Sequence, residues 1–487
     1  MKRKIMTVAA SLLMASAVIV NAAMAGAGTE PDLKKIESVV KRYAELDMFS
    51  GTILLAKQGK PVYSAAFGQA NKDHGIPNRL DTRYNIGSIG KTFTATAIMQ
   101  LVQAGKLKLD DKLVTVLPDF PFPEREHITI QHLLNHTSGL GNYMEHADYP
   151  AKMSGISSVT DILPLIYDQK PLFQAGERFS YSNSGMVLLG AVIEKISGMS
   201  YPDYLQRHIF TPAGLIETAL AQEHDVLPGR SIGYSPRPGG GYQANVRAVM
   251  PASADGGMRT SAMDLLRFDQ ALHGNKLLNA KLHQQMITPI GPVPFMASGW
   301  FVNRIQDRQL VGHGGGAPGV SAEFRRYLDD GYTLVVLSNY DDGASPLTEQ
   351  IEKILFGLPV QMPSQADADY SRAQHFQRTG QTEAALILFD QLAGSKSAHL
   401  PSLYAGARLR IISKTEPEKA VQALAQYIAT ASADTTPSLS AAWWRKGNAY
   451  ELLGKVNEAR QCYEQALKLN PDEHEAAKSL AALNTSK

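Results

Sequence analysis

A chain of 487 residues, 44% apolar and 19% charged, has material for two or three globular domains with real cores. Its 48 basic and 46 acidic residues leave a net charge of only +2, which gives no electrostatic case for nucleic-acid binding. Cys462 is the single cysteine, which excludes an internal disulfide, a multi-cysteine zinc site and thiolate catalysis.

The basic start Met1-Lys2-Arg3-Lys4, the apolar run from Ile5 to Val20 and the small-x-small pattern Ala23-Met24-Ala25 predict a secretory signal peptide over 1–25. Its removal near Gly26 leaves 45 basic against 46 acidic residues, a net charge of −1 where the full chain has +2. No later stretch is apolar for long enough to cross a membrane, so the mature protein is expected in a periplasm or secreted.

Leu33, Ile36, Val39, Val40 and Tyr43 recur at helical spacing and predict an amphipathic helix. Gly51–Lys57 and Pro61–Phe67, around Gln58-Gly59-Lys60, predict a strand pair joined by a tight turn. Next comes Tyr84-Asn85-Ile86-Gly87-Ser88-Ile89-Gly90-Lys91-Thr92, with Phe93, Ala97, Ile98 and Leu101 behind it on one helical face and Gly105 as a stop. Ser88 and Lys91 are three apart at the helix start, so they share a face, and a hydroxyl beside an amine suggests an activated nucleophile. Gly90-Lys91-Thr92 also looks like the end of a phosphate loop, but that pattern needs glycine where Asn85 stands. Alone, the segment reads more readily as a capped helix with a solvated lysine.

From about Ile128 to Leu220 the pattern is helical. His132 and His136 are four apart, yet no glutamate lies between them and a Thr-Ser-Gly break follows, so a packing or capping role is favoured over a metal. Tyr181-Ser182-Asn183 leads into the apolar helix Met186 to Ile196: a cap sequence, and also a phenol and an amide able to serve a reacting serine. Strands are predicted at Gly299–Asn303, Gln309–His313, Val320–Arg326 and Thr333–Ser338, then a helix from Leu347 to Leu355. His313-Gly314-Gly315-Gly316 ends one of these strands, and glycines there permit close backbone approach. Strands at both ends with helices between predict one sheet assembled from distant segments.

Gly357 to Ser364 breaks periodicity. Beyond it Trp443, Gly447, Tyr450, Gly454, Ala459, Tyr463, Ala466 and Pro471 match the tetratricopeptide register, with Lys446 where leucine is usual. Phe376, Gly380, Ala385 and Phe389 give an earlier partial copy, and Tyr404, Ala420 and Leu424 a weaker middle one. The expected division is a signal peptide over 1–25, a catalytic domain over 26–357, a linker over 358–365 and repeats over 366–487, with a protein partner recruited through the repeats.

In order and spacing, Ser88-Ile89-Gly90-Lys91, Tyr181-Ser182-Asn183 and His313-Gly314-Gly315 resemble the serine β-lactamase and D-alanyl-D-alanine peptidase superfamily. The nearest branch holds class C β-lactamases, carboxypeptidases with a histidine third motif, D-aminopeptidases and related esterases. The resemblance runs from about Leu33 to Gly357 and includes His136 to Leu140 and Asp255 to Leu265. It implies an α+β fold, an antiparallel sheet flanked by helices with an all-helical subdomain, followed here by the all-α repeats.

It further implies Ser88 as the acylated nucleophile, Lys91 and Tyr181 as its proton-handling partners, and Asn183 orienting the substrate amide. His313 and Gly315 would line the strand edge, with the Ser88 and Gly316 N–H groups forming the oxyanion hole and no metal or cofactor needed. Whether Lys91 or Tyr181 is the base stays open. The third motif departs from the family's lysine-threonine-glycine or histidine-threonine-glycine. Gly314 has no hydroxyl and a neutral His313 less charge, which weighs against recognition of a free carboxylate. The expectation is an exported serine hydrolase of amides or esters, including D-amino-acid or peptidoglycan-like peptides. The alternatives are a true β-lactamase or DD-carboxypeptidase, and a catalytically weak penicillin-binding receptor or scaffold.

Overall fold

Two runs far apart in sequence, Gly51–Lys57 (β1) and Tyr332–Ser338 (β6), are apolar on both faces and buried almost throughout, which places them inside a sheet rather than at its edge. The computed structural model describes residues 30–121, 126–167, 169–222, 225–245, 251–395 and 399–485; the predicted signal peptide lies outside them. With β2 (Lys60–Phe67), β3 (Phe301–Ile305), β4 (Arg308–Ala317) and β5 (Val320–Tyr327), these strands form a six-stranded antiparallel sheet in the order β2-β1-β6-β5-β4-β3. The first strand therefore pairs with the last, Gly51 opposite Ser338.

Ahead of the sheet, α1 (Leu33–Glu45) buries Ile36, Val39, Val40 and Tyr43, the face that helical spacing predicts. The helix behind the Ser88 segment, α2 (Gly90–Gln103), is buried nearly all round. Phe93 stacks on Phe268 of α4 (Ala262–His273) at 4.0 Å between ring centroids. A second apolar helix, α3 (Asn183–Ser197), packs against α2. The stretch expected to be helical between them is broken into short turns, among them Ile130–Leu134 and Val159–Ile162. After the sheet comes α5 (Ser345–Leu355).

β4 runs longer than predicted. It does not end at His313 but continues to Ala317, because Gly314, Gly315 and Gly316 pair with Glu323, Ala322 and Ser321. Glycine weakens a strand locally, yet a hydrogen-bonded neighbour on β5 carries this one through.

The chain divides into two compact units, one holding 49–233 and 245–361, the other 362–487 with the short segments 45–48 and 234–244. Among the described residues the second unit contains seven helices: α6 (Gln365–Arg378), α7 (Thr382–Ala393), α8 (Leu400–Ser413), α9 (Pro417–Thr430), α10 (Leu439–Leu452), α11 (Val456–Leu469) and α12 (His474–Thr485). Consecutive helices pack as neighbours, as a repeat stack requires. Register residues Gly447, Ala459, Tyr463 and Ala466 are buried at the α10–α11 contact. Lys446 is accommodated in place of leucine by lying over the rings of Trp443 and Tyr450, at 4.9 and 5.9 Å from their centroids. Among the described residues no helix is long and apolar enough to cross a membrane.

Candidate active site

The turn before α2 sets the serine. Gly87 has φ +49°, Asn85 Oδ1 accepts the Gly87 N–H at 2.9 Å, and residues 87–89 form one tight 3-10 turn. Neither Ile86 nor Ile89, which precede the two helical segments, receives a side-chain cap, so Ser88 Oγ is not consumed as a cap. Lys91 Nζ donates instead to Ser88 Oγ at 3.0 Å, and also to the main-chain oxygen of Asp255. Lys91 is wholly buried.

β4 closes the other side. A Cβ built on Gly315 would lie 1.9 Å from Ile86 O and 3.2 Å from Ser88 N, while one on Gly87 would lie 2.9 Å from Gly316 N. The close approach that the glycine run permits is thus made by the chain's own Ser88 turn. It brings the Ser88 and Gly316 backbone amides into one neighbourhood.

Tyr181 stands at the mouth of α3. Ser182 is the cap, accepting from Gly185 N at 3.0 Å, which frees its neighbours for other contacts. The Tyr181 ring has Lys91 Nζ 5.0 Å from its centroid, His136 at 4.5 Å and Phe301 stacked at 6.4 Å. Asn183 Nδ2 points to Asn142 Oδ1 at 3.4 Å and Met144 Sδ at 3.7 Å. Its Oδ1 has no partner among the described residues, so the atom left open is an acceptor.

His313 lies 4% exposed on β4, beside Phe301 at 5.0 Å and Tyr181 at 6.3 Å. Burial, and then the Lys91 charge, push it down to about 3, so it is neutral. Its Nδ1 sits 2.6 Å from the Gly314 carbonyl, which can only accept, so Nδ1 carries the proton and Nε2 is a bare acceptor. Gly314 looks the other way: a Cβ there would meet the Glu323 carboxylate 3.5 Å off and the Ala322 carbonyl oxygen at 3.7 Å, both ordinary contacts.

Two groups beside the site do more than the sequence pattern assigns them, which is packing or capping for His136 and membership of a segment for Asp255. His136, at φ +57°, accepts the Ser182 N–H on Nδ1 at 3.2 Å, and its carbonyl accepts the Ser180 N–H at 2.9 Å. Burial, helped by the Lys91 charge, holds His136 well below the usual range, so it braces the Tyr181 turn as a neutral ring. Asp255 is wholly buried and accepts from the Tyr143 hydroxyl at 3.0 Å. Their segments are visible in the chain, but the pairings join residues far apart in sequence. His132 accepts from the Thr129 N–H at 3.3 Å in a helix-capping box, and among the described residues no cluster suited to a metal is found.

The β-lactamase family model matches residues 36–357. The chain belongs to the β-lactamase family. A tetratricopeptide repeat is matched over residues 440–473. Penicillin-binding protein 4* of Bacillus subtilis is 32% identical over 359 residues, which cover 68% of this chain and 77% of that protein. A penicillin-binding protein structure from Bacillus halodurans aligns with a TM-score of 0.60 at 31% identity, over 65% of this chain and 98% of that one. A D-stereospecific amidohydrolase from a Streptomyces species aligns with a TM-score of 0.58 at 26% identity, over 67% and 99%. Family membership makes the chain a serine hydrolase with this sheet-and-helix fold, followed by helical repeats.

Proposed function

We propose that Ser88 performs acyl transfer on amide or ester bonds. Ser88 Oγ attacks the carbonyl carbon, the new C–O bond gives an acyl-enzyme, and the bond to the leaving amine or alcohol breaks. The serine proton passes to Lys91 or Tyr181 and on to the leaving group; water then takes the acyl group by the reverse sequence. Asn183 orients the substrate amide, His313 and Gly315 line its path, and the Ser88 and Gly316 N–H groups take the developing oxyanion. The observation that carries this reading is the buried Lys91 Nζ donating to Ser88 Oγ at 3.0 Å beneath the Tyr181 ring.

The favoured substrates lack a free carboxylate next to the scissile bond. His313 offers neither a cation nor an N–H on Nε2, Gly314 offers no hydroxyl, and the Glu323 carboxylate is what stands beside Gly314. The similarity to a D-stereospecific amidohydrolase supports amides of D-amino acids or peptidoglycan-like peptides, with small esters alongside. β-Lactam and DD-carboxypeptidase turnover are the competing outcomes. Mature protein should release a burst of alcohol from an activated ester, and Ser88→Ala should lose it. Undiminished turnover in that variant refutes the assignment. A panel of D-amino-acid amides, D-Ala-D-Ala peptides, acyl esters and a chromogenic cephalosporin ranks the substrates.

The basic-apolar N-terminus and the penicillin-binding relatives support export, tested by N-terminal sequencing of the mature protein for a start at Gly26. The matched repeat supports recruitment of a protein partner. If a chain ending at Gly357 keeps the activity, oligomeric state and bound partners of the full chain, the repeats have no such role.

A further inference from the structure

Lys91 and Asp255 are both 0% exposed. The lysine needs only the Asp255 main-chain oxygen for its hydrogen bond, which any residue at 255 would supply. The side chain nevertheless is an acid, with Oδ2 held by Tyr143 and Oδ1 without a partner among the described residues. A buried carboxylate left half-satisfied is costly unless an opposite charge lies close by. Among the described residues the titratable groups around the two offer no other charge of either sign. His136 and His313 are held neutral beside Lys91, and Tyr143, Tyr149 and Tyr201 are pushed up by burial around Asp255. Tyr181 presents its ring face to the lysine.

We propose that Asp255 is the buried counter-charge of Lys91, a positioning residue that acts on Ser88 through the lysine beside it. The two make no direct ion pair within 4 Å among the described residues; the attraction acts through the dry interior, where it is weakly screened. The kinetic part of this inference rests on the acyl-transfer reading above; the charge coupling does not.

Two measurements on the full chain test it. In Asp255→Asn, which keeps the main-chain carbonyl, the alkaline limb of kcat/KM for an activated ester should move down by about one pH unit, as loss of a nearby opposite charge predicts. The second readout needs no activity. Burial pushes Asp255 above the usual carboxylate range, and the Lys91 charge pulls it only part of the way back. In Lys91→Met that pull is gone, so the folded state favours the protonated acid more strongly. The associated stability is complete below the ordinary carboxylate range and is lost as pH rises through the raised folded value. The Tm of Lys91→Met should therefore fall relative to wild type on going from about pH 4 to about pH 8, and adding Asp255→Asn should remove the fall. Parallel Tm curves for Lys91→Met and wild type, or an unmoved alkaline limb in Asp255→Asn, overturn the proposal. An active Ser88→Ala would remove the acyl-transfer reading and leave the Tm comparison standing.

Discussion

Replacing Gly315 by alanine adds one methyl group where the structure has no room. Its Cβ would lie 1.9 Å from Ile86 O and 2.8 Å from Ile86 C, and contacts under 3.0 Å force movement. The obstacle is backbone on both sides, so β4 and the nucleophile turn must separate by at least about 1 Å or the protein must hold them in strain. Overpacking of this kind costs about 1–3 kcal/mol of stability. A displacement of about 1 Å between reacting groups costs on the order of 10²-fold in rate. Gly314→Ala is the control, since its methyl would meet the Glu323 side chain at 3.5 Å and the Ala322 carbonyl oxygen at 3.7 Å, both at ordinary contact distance. The assay is kcat/KM on an acyl ester alongside thermal melting of each variant. Gly315→Ala should lose rate well beyond any loss in Gly314→Ala while its folded fraction at assay temperature stays full. Equal rates in the two variants would falsify the claim that the β4 edge sets the nucleophile's geometry.

Tyr181→Phe keeps the ring stacked on Phe301 and beside His136 but removes the phenol, so kcat should fall by about 10²–10⁴-fold with little change in Tm. His283, 8% exposed, is pushed down to about 4, mainly by burial. Its folded state resists protonation, so stability is present above the ordinary histidine value and is lost as pH falls from there towards about 4. The loss amounts to about 3 kcal/mol, and His283→Gln should flatten that part of the Tm–pH curve. In the repeats, a Cβ on Gly447 would come within 2.3 Å of the Tyr463 ring. Gly447→Ala should therefore lower the melting of the helical repeats followed by circular dichroism, despite the roughly 1 kcal/mol that alanine contributes to helix propensity.

Much of this was legible where the signal is local. β1 and the C-terminal strands announce themselves by apolar runs between turn residues, and the last repeat by its register. Ser88, Lys91, Tyr181 and His313 stand in motifs whose order is readable, and the structure brings all four together. What was hidden depends on contacts distant in sequence. β4 outruns its own glycines because β5 pairs with them, which no propensity within residues 308–317 foretells. Asp255 and Tyr143 meet through a hydrogen bond across 112 positions, and His136 reaches Ser182 across 46, so neither pairing leaves a local pattern. Two-residue strands such as Tyr84–Asn85 with Arg259–Thr260 are too short for any periodicity to show.

The pairing of β1 with β6 has a temporal consequence. Ser88 leaves the ribosome long before Gly316 and Ser338 do, and the sheet that holds the serine's turn in place cannot close until the final strand arrives. Until then the close approach of Gly315 to Ile86 and Ser88 does not exist. The packing around Ser88 is therefore among the last features this unit acquires.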